Sequence, residues 1–252
     1  MCRLLAIKAR APFAIAPWLR AFAAMARASR EYQGDGWGLA WLPPEGGVAG
    51  AGLATAREPA AAASITGGDQ PRPYASAAGD HASADPGWRV HRSVAPIWDA
   101  DLERFGAASL LVAHARSAFR NEGIAVENNM PFLADGTVFA FNGELHGVRI
   151  HEEGRIGAEK VFNVVRRLAR GDLAAGLARA TTLIRARSRY VRALNVVASA
   201  GDSIVAQCAF GEQPDYFTLH LAREDGRVAV CSEPLAGAAW APMANGAMEV
   251  LA

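Results

Sequence analysis

The sequence predicts an α+β protein built from two sheets covered by helices on their outer faces. Three observations carry this prediction. The segments run strand, helix, strands, two consecutive helices, strands, so they lack the one-for-one alternation of a doubly wound parallel sheet. Several strand-like runs are flanked by tight-turn signals such as Asp135-Gly136 and Gly201-Asp202. The chain has 252 residues, 51% of them apolar. That is enough for one large or two small domains burying roughly 70–75% of their unfolded surface. No internal repeat is visible.

Taken in order, Cys2–Ala9 reads as a strand. A helix follows, with Pro17 suited to its first turn and Trp18, Phe22 and Met25 recurring on one face. "YQGDGWGLAWL" turns into a strand from Leu39 to Leu42, and "VAGAGLATA" beyond "PPEGG" reads as its partner. Residues from about 57 to 87 are poor in large apolar side chains and read as a loop insertion. "ASLLVAHARS" and "GTVFAFNGEL" are buried strands ending in polar residues. Ala158–Arg170 is a helix with Val161, Val165 and Leu168 on one face, stopping at Gly171. Asp172 caps a second helix carrying Leu177, Leu183 and Ile184. The rest reads as β: Asn195–Ala198 with Ser203–Phe210, Tyr216–Ala222 with Arg227–Cys231, then "AMEVLA".

Composition excludes several function classes. The formal net charge is +1, without the clustered Lys/Arg excess of a nucleic-acid footprint. No apolar run approaches the ~18 residues of a membrane span. Three cysteines, Cys2, Cys208 and Cys231, suit free thiols in a reducing compartment, and a cytoplasmic location is expected. Met1 to Arg30 holds six basic residues and no acidic one, which also suits a transit peptide. The strand and helix patterns there outweigh that reading. The six histidines show no metal-ligand spacing, so neither metal nor cofactor is expected. Cys208 and Cys231 read as core residues.

Four segments place polar groups at strand ends: "MC", "GDGWG", "HARS" and "FNGEL". Each has an ordinary explanation on its own: a buried thiol, a turn, a solvated arginine, a hairpin. Together they supply the parts of an amide-hydrolysing site. Cys2 offers a nucleophile, and removal of Met1 would give it a free α-amine with an unperturbed pKa near ~7.7–8.0 as base. The Asn142 side chain and the Gly143 backbone N–H can form an oxyanion hole. Arg116 presents a planar fork suited to a carboxylate.

With those residues in view, the sequence resembles the class II glutamine amidotransferase domains of the N-terminal-nucleophile hydrolase superfamily. The resemblance rests on Met1-Cys2, "DGWG" at 35–38, "HAR" at 114–116, "NNMPF" at 128–132, "FNGEL" at 141–145 and "SEPL" at 232–235. They occur in the family's order and cover nearly the whole chain, closest to the stand-alone subgroup without a fused synthetase. The resemblance implies a single domain over 1–252 with a four-layer αββα sandwich of two mainly antiparallel sheets. It implies Cys2 as nucleophile after loss of Met1, Arg116 on the glutamine α-carboxylate, and Asn142 and Gly143 as the oxyanion hole. The expected reaction passes through a γ-glutamyl thioester and releases ammonia, either to a separate synthase subunit or by plain hydrolysis. Asp35, Gly36 and Trp37 are expected to shape a loop over the substrate.

The departures all concern the substrate. Phe119 stands where the family has a small polar residue, and Met130 where it has His or Gln. Gly157 stands where it has the aspartate that pairs with the glutamine α-ammonium. Glu152 and Glu153 are the nearby acids that could substitute. Three readings follow: an amidohydrolase for glutamine or a γ-glutamyl compound; the same chemistry on an N-blocked or non-amino-acid amide; and a non-catalytic relative that binds a ligand or partner. Retention of Cys2, Asn142 and Gly143 disfavours the third.

Overall fold

Strand alternation decides how the layers stack. In β1 (Arg3–Ala14), Leu4 and Ala6 enter one core while Leu5, Ile7 and Ala9 enter another, because successive side chains leave opposite faces of a strand. β5 (Ala107–Ala115) divides the same way, Leu110 and Val112 on one side, Leu111 and Ala113 on the other. Strands buried on both faces lie between two layers. The computed structural model, which describes residues 1–44, 78–82, 87–224 and 226–251, shows what those layers are.

The remaining elements are α1 (Ile15–Arg27), β2 (Trp37–Leu42), β3 (Ala78–Ala82), β4 (Arg89–Ser93), β6 (Phe132–Ala134) and β7 (Thr137–His146). They continue with α2 (Gly157–Ala169), α3 (Leu173–Arg187), β8 (Tyr190–Ala200), β9 (Ser203–Gln207) and α4 (Pro214–Phe217). β10 (His220–Glu224), β11 (Arg227–Cys231), β12 (Trp240–Pro242) and β13 (Met248–Leu251) complete the chain. One sheet runs β12-β10-β11-β1-β5-β2-β4-β3 and the other β13-β9-β8-β7-β6. Every pairing is antiparallel. β1 and β5 pack on β7 across the sheet interface. The molecule is therefore α+β, with the two sheets face to face and helices outside them.

Each outer helix is held by its apolar face. α1 buries Ile15, Leu19, Phe22 and Ala26 on the eight-stranded sheet, each large side chain contributing roughly 1.5–3 kcal/mol. Trp18 and Met25, expected on that face with Phe22, are only half-buried. α2 buries Val161, Phe162, Val164 and Val165, and Phe162 stacks on Phe139 of β7 with ring centroids 5.1 Å apart. Asp172 caps α3 as expected, accepting from the Ala175 N–H at 2.9 Å. The Asp135-Gly136 turn has φ of 49° and 68°, the doubly positive geometry of a two-residue hairpin.

Two expectations need correction. Tyr216 and Phe217 were expected in a strand but form α4, started by Pro214 at its first position. Their apolar rings fit either element, and a proline in the first helical turn decided it. Within the loop expected at 57–87, Ala78–Ala82 form the edge strand β3 against β4. The rest of that segment up to residue 86, and the expected strand "VAGAGLATA", lie outside the described residues. Among the described residues, no helix is long and apolar enough to cross a membrane.

Candidate active site

The antiparallel order of the larger sheet brings three polar strand ends to one edge. β1 begins where β5 ends: Arg3 pairs with Ala115, and Trp37 at the start of β2 pairs with Ala115 from the other side. Cys2, His114 and Arg116 share the strand parity of Leu4 and Val112, so they face the second sheet. Asn142 shares the parity of Val138 and Ala140 on β7, opposite that of Phe139, which meets α2. Strand periodicity thus turns Cys2, Arg116 and Asn142 toward the space between the sheets, although Asn142 is not itself among the residues that line the cavity there.

A cavity of about 930 Å³ opens at this edge, lined among others by Cys2, Arg116, Phe119, Gly143 and Gly157. The Cys2 Sγ sits 3.7 Å from the Ser117 carbonyl oxygen. Serine 232 fixes the start of β1, donating its N–H to the Leu4 carbonyl and accepting from the Leu4 N–H, both at 2.9 Å. Arg3 is buried beneath, ion-paired with Glu233 and lying 3.9 Å from the Tyr216 ring centroid. The "SEPL" segment therefore acts by anchoring the strand that carries the thiol.

Arg116 is oriented by neutral partners. One guanidinium N–H reaches Asn129 Oδ1 at 3.0 Å and another the Gly123 carbonyl at 2.8 Å. Asn129 is itself fully buried and donates to the Ser93 carbonyl at 2.6 Å. Burial lowers the Arg116 pKa, while Cys2 and Asp35 act in the opposite direction. Among the described residues its hydrogen-bond partners are an amide and a backbone carbonyl, and Asp35 acts on it only through its charge, which leaves the fork able to take an anionic group from the cavity.

Asn142 is 1% exposed, and neither its Oδ1 nor its Nδ2 is hydrogen-bonded to any described residue. A buried amide left unpaired costs roughly 1–3 kcal/mol, which is characteristic of a group kept for function. Gly143 follows on the cavity wall. A Cβ there would collide with the Ala193 carbonyl and the Phe141 ring, so glycine is required for this close approach. Immediately beyond, the β7–β8 register shifts between Glu144 and Leu145. The extra residue on β8 is Arg192, whose guanidinium reaches Glu144 Oε2 at 2.9 Å and Glu31 at 3.5 Å. Bulges re-aim side chains in this way beside active sites. Burial raises the Glu144 carboxyl, but hydrogen bonds from His146 and Arg192 outweigh it and hold the group below its usual range.

His114 is fully buried one strand residue pair below Arg116. Burial, reinforced by the Arg116 charge, pushes its imidazole down to about 3. It is therefore neutral. Burial also raises the Cys208 thiol and pushes Cys231 up to about 12, leaving both as inert core residues.

Three expected substrate residues do not line the cavity. Trp37 turns into the outer core, 4.8 Å from the His91 ring and 5.7 Å from the Phe105 ring between centroids. Its parity on β2 is opposite to that of Gly36 and Gly38, so it cannot cover the substrate side. Asp35 accepts from the Ala118 N–H at 2.8 Å, and Gly36 accepts from the Arg116 N–H at 2.8 Å. Gly36 has φ of 119°, and a Cβ would meet Asn129 and the Ser93 carbonyl. Asp35 and Gly36 therefore brace the 116–118 segment from behind. Phe119 does line the cavity, 55% exposed, with an edge contact to His146. Gly157 opens α2, and a Cβ there would meet nothing within 4 Å. Glu152 lines the cavity but is ion-paired with Arg167 at 3.0 Å, while Glu153 does not line it.

Several residues escaped the sequence reading. Asn129 sits in the quoted "NNMPF" but had no role assigned. Glu122 lines the cavity and is exposed. Gln33 and Tyr216 clamp the Met1 carbonyl oxygen at 2.7 and 2.8 Å, and Glu31 pairs with the Met1 amine. Nothing in the sequence links residues 31, 33, 192 and 216. Among the described residues, no group of three or more His, Cys, Asp or Glu side chains could hold a metal ion.

No protein-family model matches the chain, and no curated protein matches it in sequence. Solved structures do. A glutamine phosphoribosylpyrophosphate amidotransferase from B. subtilis superposes with a TM-score of 0.60 at 13% identity, over 99% of this chain and 47% of that one. This chain therefore spans about half the length of that enzyme. A glutamine aminotransferase class-II domain protein from Silicibacter pomeroyi gives 0.55 at 19% identity, covering 99% of this chain and 94% of the other. A protein described as a predicted glutamine amidotransferase from Pseudomonas aeruginosa gives 0.52 at 17%, covering 99% and 97%. Identities this low establish architecture rather than chemistry: the chain has the αββα fold of the class-II glutamine amidotransferase domains.

Proposed function

We propose that the protein is a cysteine-dependent amidohydrolase acting on glutamine or a γ-glutamyl or related amide through a thioester. The observation that carries this is the placement of the Cys2 thiol in one cavity with Arg116 and Gly143, with the unpaired Asn142 amide beside Gly143. In the proposed reaction the Sγ attacks the amide carbonyl while the α-amine of Cys2, freed by loss of Met1, takes the thiol proton. Asn142 Nδ2–H and the Gly143 N–H stabilise the oxyanion. The C–N bond breaks, the leaving nitrogen takes the proton from the amine, and ammonia or an amine departs. Water then attacks the thioester, the amine again acting as base, and the acid is released with regeneration of the thiol. While Met1 is attached, the Cys2 nitrogen is a peptide nitrogen and cannot serve as base.

A second reading, an amide with a blocked or missing α-amine, is favoured by one observation. Gly157 provides no carboxylate for an α-ammonium, and the positive end of α2 points the wrong way for one. Any ammonia released would pass to a separate synthase or to solvent. Three unbridged cysteines support a reducing compartment, the cytoplasm.

Intact-mass analysis of the purified protein incubated with a panel of amides tests the reading. Expected are loss of Met1 and a transient adduct on Cys2 equal to the acyl group, both adduct and turnover absent in Cys2→Ala. Retained Met1 on fully active protein would overturn the N-terminal-nucleophile assignment.

A further inference from the structure

The cavity is far larger than a free amino acid needs and lies at the upper end of the range for drug-sized ligands. Val148, Ile150, Ile156 and Val161 give its wall an apolar strip, interleaved with Glu152, Arg155 and Lys160. Ile156 stands beside Gly123, whose carbonyl holds Arg116, so this wall begins where a carboxylate on Arg116 would end. Next to it, the Cβ direction of Gly157 is open space.

The rim points the same way. Few large hydrophobic side chains among the described residues are exposed; two of them, Phe119 and Val148, line this cavity, and a third, Tyr190, packs against its His146. Phe119 is 55% exposed, Tyr190 41% and Val148 40%. His146 joins two of them, its ring centroid 6.1 Å from that of Phe119 and 5.6 Å from that of Tyr190. Exposed apolar groups clustered at a cavity mouth mark a binding groove, whereas scattered ones need no explanation.

We infer that this wall and rim form a subsite for a large apolar group, aryl or alkyl, carried on the α-nitrogen of the substrate. The inference rests on the amidohydrolase reading for the position of the scissile amide and adds the class of acyl substituent. The occupant is part of the substrate because the wall is continuous with the cavity that holds Cys2 and Arg116.

The test compares N-acetylglutamine with N-octanoylglutamine and N-phenylacetylglutamine. Calorimetry on Cys2→Ala reads binding without turnover, and kcat/KM on the wild type reads catalysis. The larger acyl groups are expected to bind at least ~10-fold more tightly, on the scale of hydrophobic pocket discrimination. Val148→Asp, an exposed position whose change spares the core, should remove that advantage and leave N-acetylglutamine affinity unchanged. Equal affinity for all three probes would overturn the inference, as would an equal loss for all three in Val148→Asp. Tighter binding of the larger probes with no adduct on wild-type Cys2 would uphold the subsite and overturn the amidohydrolase reading.

Discussion

Replacing Gly157 with aspartate tests amino-acid specificity most directly. The backbone there is the first residue of α2, and its Cβ direction is empty to 4 Å, so a Cβ enters without a clash. The helix should gain from it. Ile156 at the N-cap offers no side-chain hydrogen bond and Glu159 is the sole acid of the first turn, so a further carboxylate adds ~0.3–1 kcal/mol against the macrodipole. Lys160 lies three residues on and lines the same cavity, but an exposed pair at that spacing is worth only ~0.2–0.5 kcal/mol. A charge-assisted hydrogen bond to a substrate ammonium is worth ~1.5–3 kcal/mol, and therefore dominates. The variant should raise kcat/KM for free glutamine by ~10–150-fold and leave N-acetylglutamine unchanged or worse. The assay is ammonia release from both substrates by wild type and variant. Efficient wild-type hydrolysis of free glutamine, unaltered by the substitution, would refute the reasoning. It would point to Glu122, the exposed acid on the same cavity, and Glu122→Gln would then lower it.

Asn142→Ala should reduce kcat by ~10²–10³ with KM little changed. Because Asn142 makes no side-chain hydrogen bond to any described residue, its urea midpoint should fall far less than a buried, paired asparagine would cost; a raised KM with kcat spared would contradict the oxyanion role. His114 has a folded pKa of about 3 against a usual 6.5, so protonation favours the unfolded chain between those values. Its contribution is complete above pH 6.5 and is lost as pH falls toward 3, at up to ~1.4 kcal/mol per unit. His114→Gln should therefore lose ~2–3 kcal/mol less than wild type between pH 7 and 4.5 by urea unfolding. Gly36→Ala should destabilise by ~2–3 kcal/mol through its positive φ and the clash with Asn129, and should also weaken activity by disturbing Arg116; unchanged melting would contradict the brace.

Local chemistry made much of this protein legible in its sequence. Short continuous apolar runs ending in polar residues marked β1, β5 and β7, the Asp135-Gly136 pair marked a hairpin, and Asp172 marked a helix start. Each is decided by a few neighbouring residues. Strand parity likewise aimed Cys2, Arg116 and Asn142 to one side of their own strands. Sequence could not say which strands become neighbours, since antiparallel pairing joins residues more than a hundred positions apart, such as Arg3 and Ala115. That pairing turned Trp37 into the outer core, made Asp35 and Gly36 a brace, and brought Glu31, Glu144 and Arg192 into one ion-pair network around the cavity. It also brought Phe119 and Val148 to one cavity, with Tyr190 against its His146. Side-chain identity sets the chemistry available; only packing of the two sheets decided which of those groups share a cavity, because long-range contacts depend on the summed burial of the whole core rather than on any local pattern.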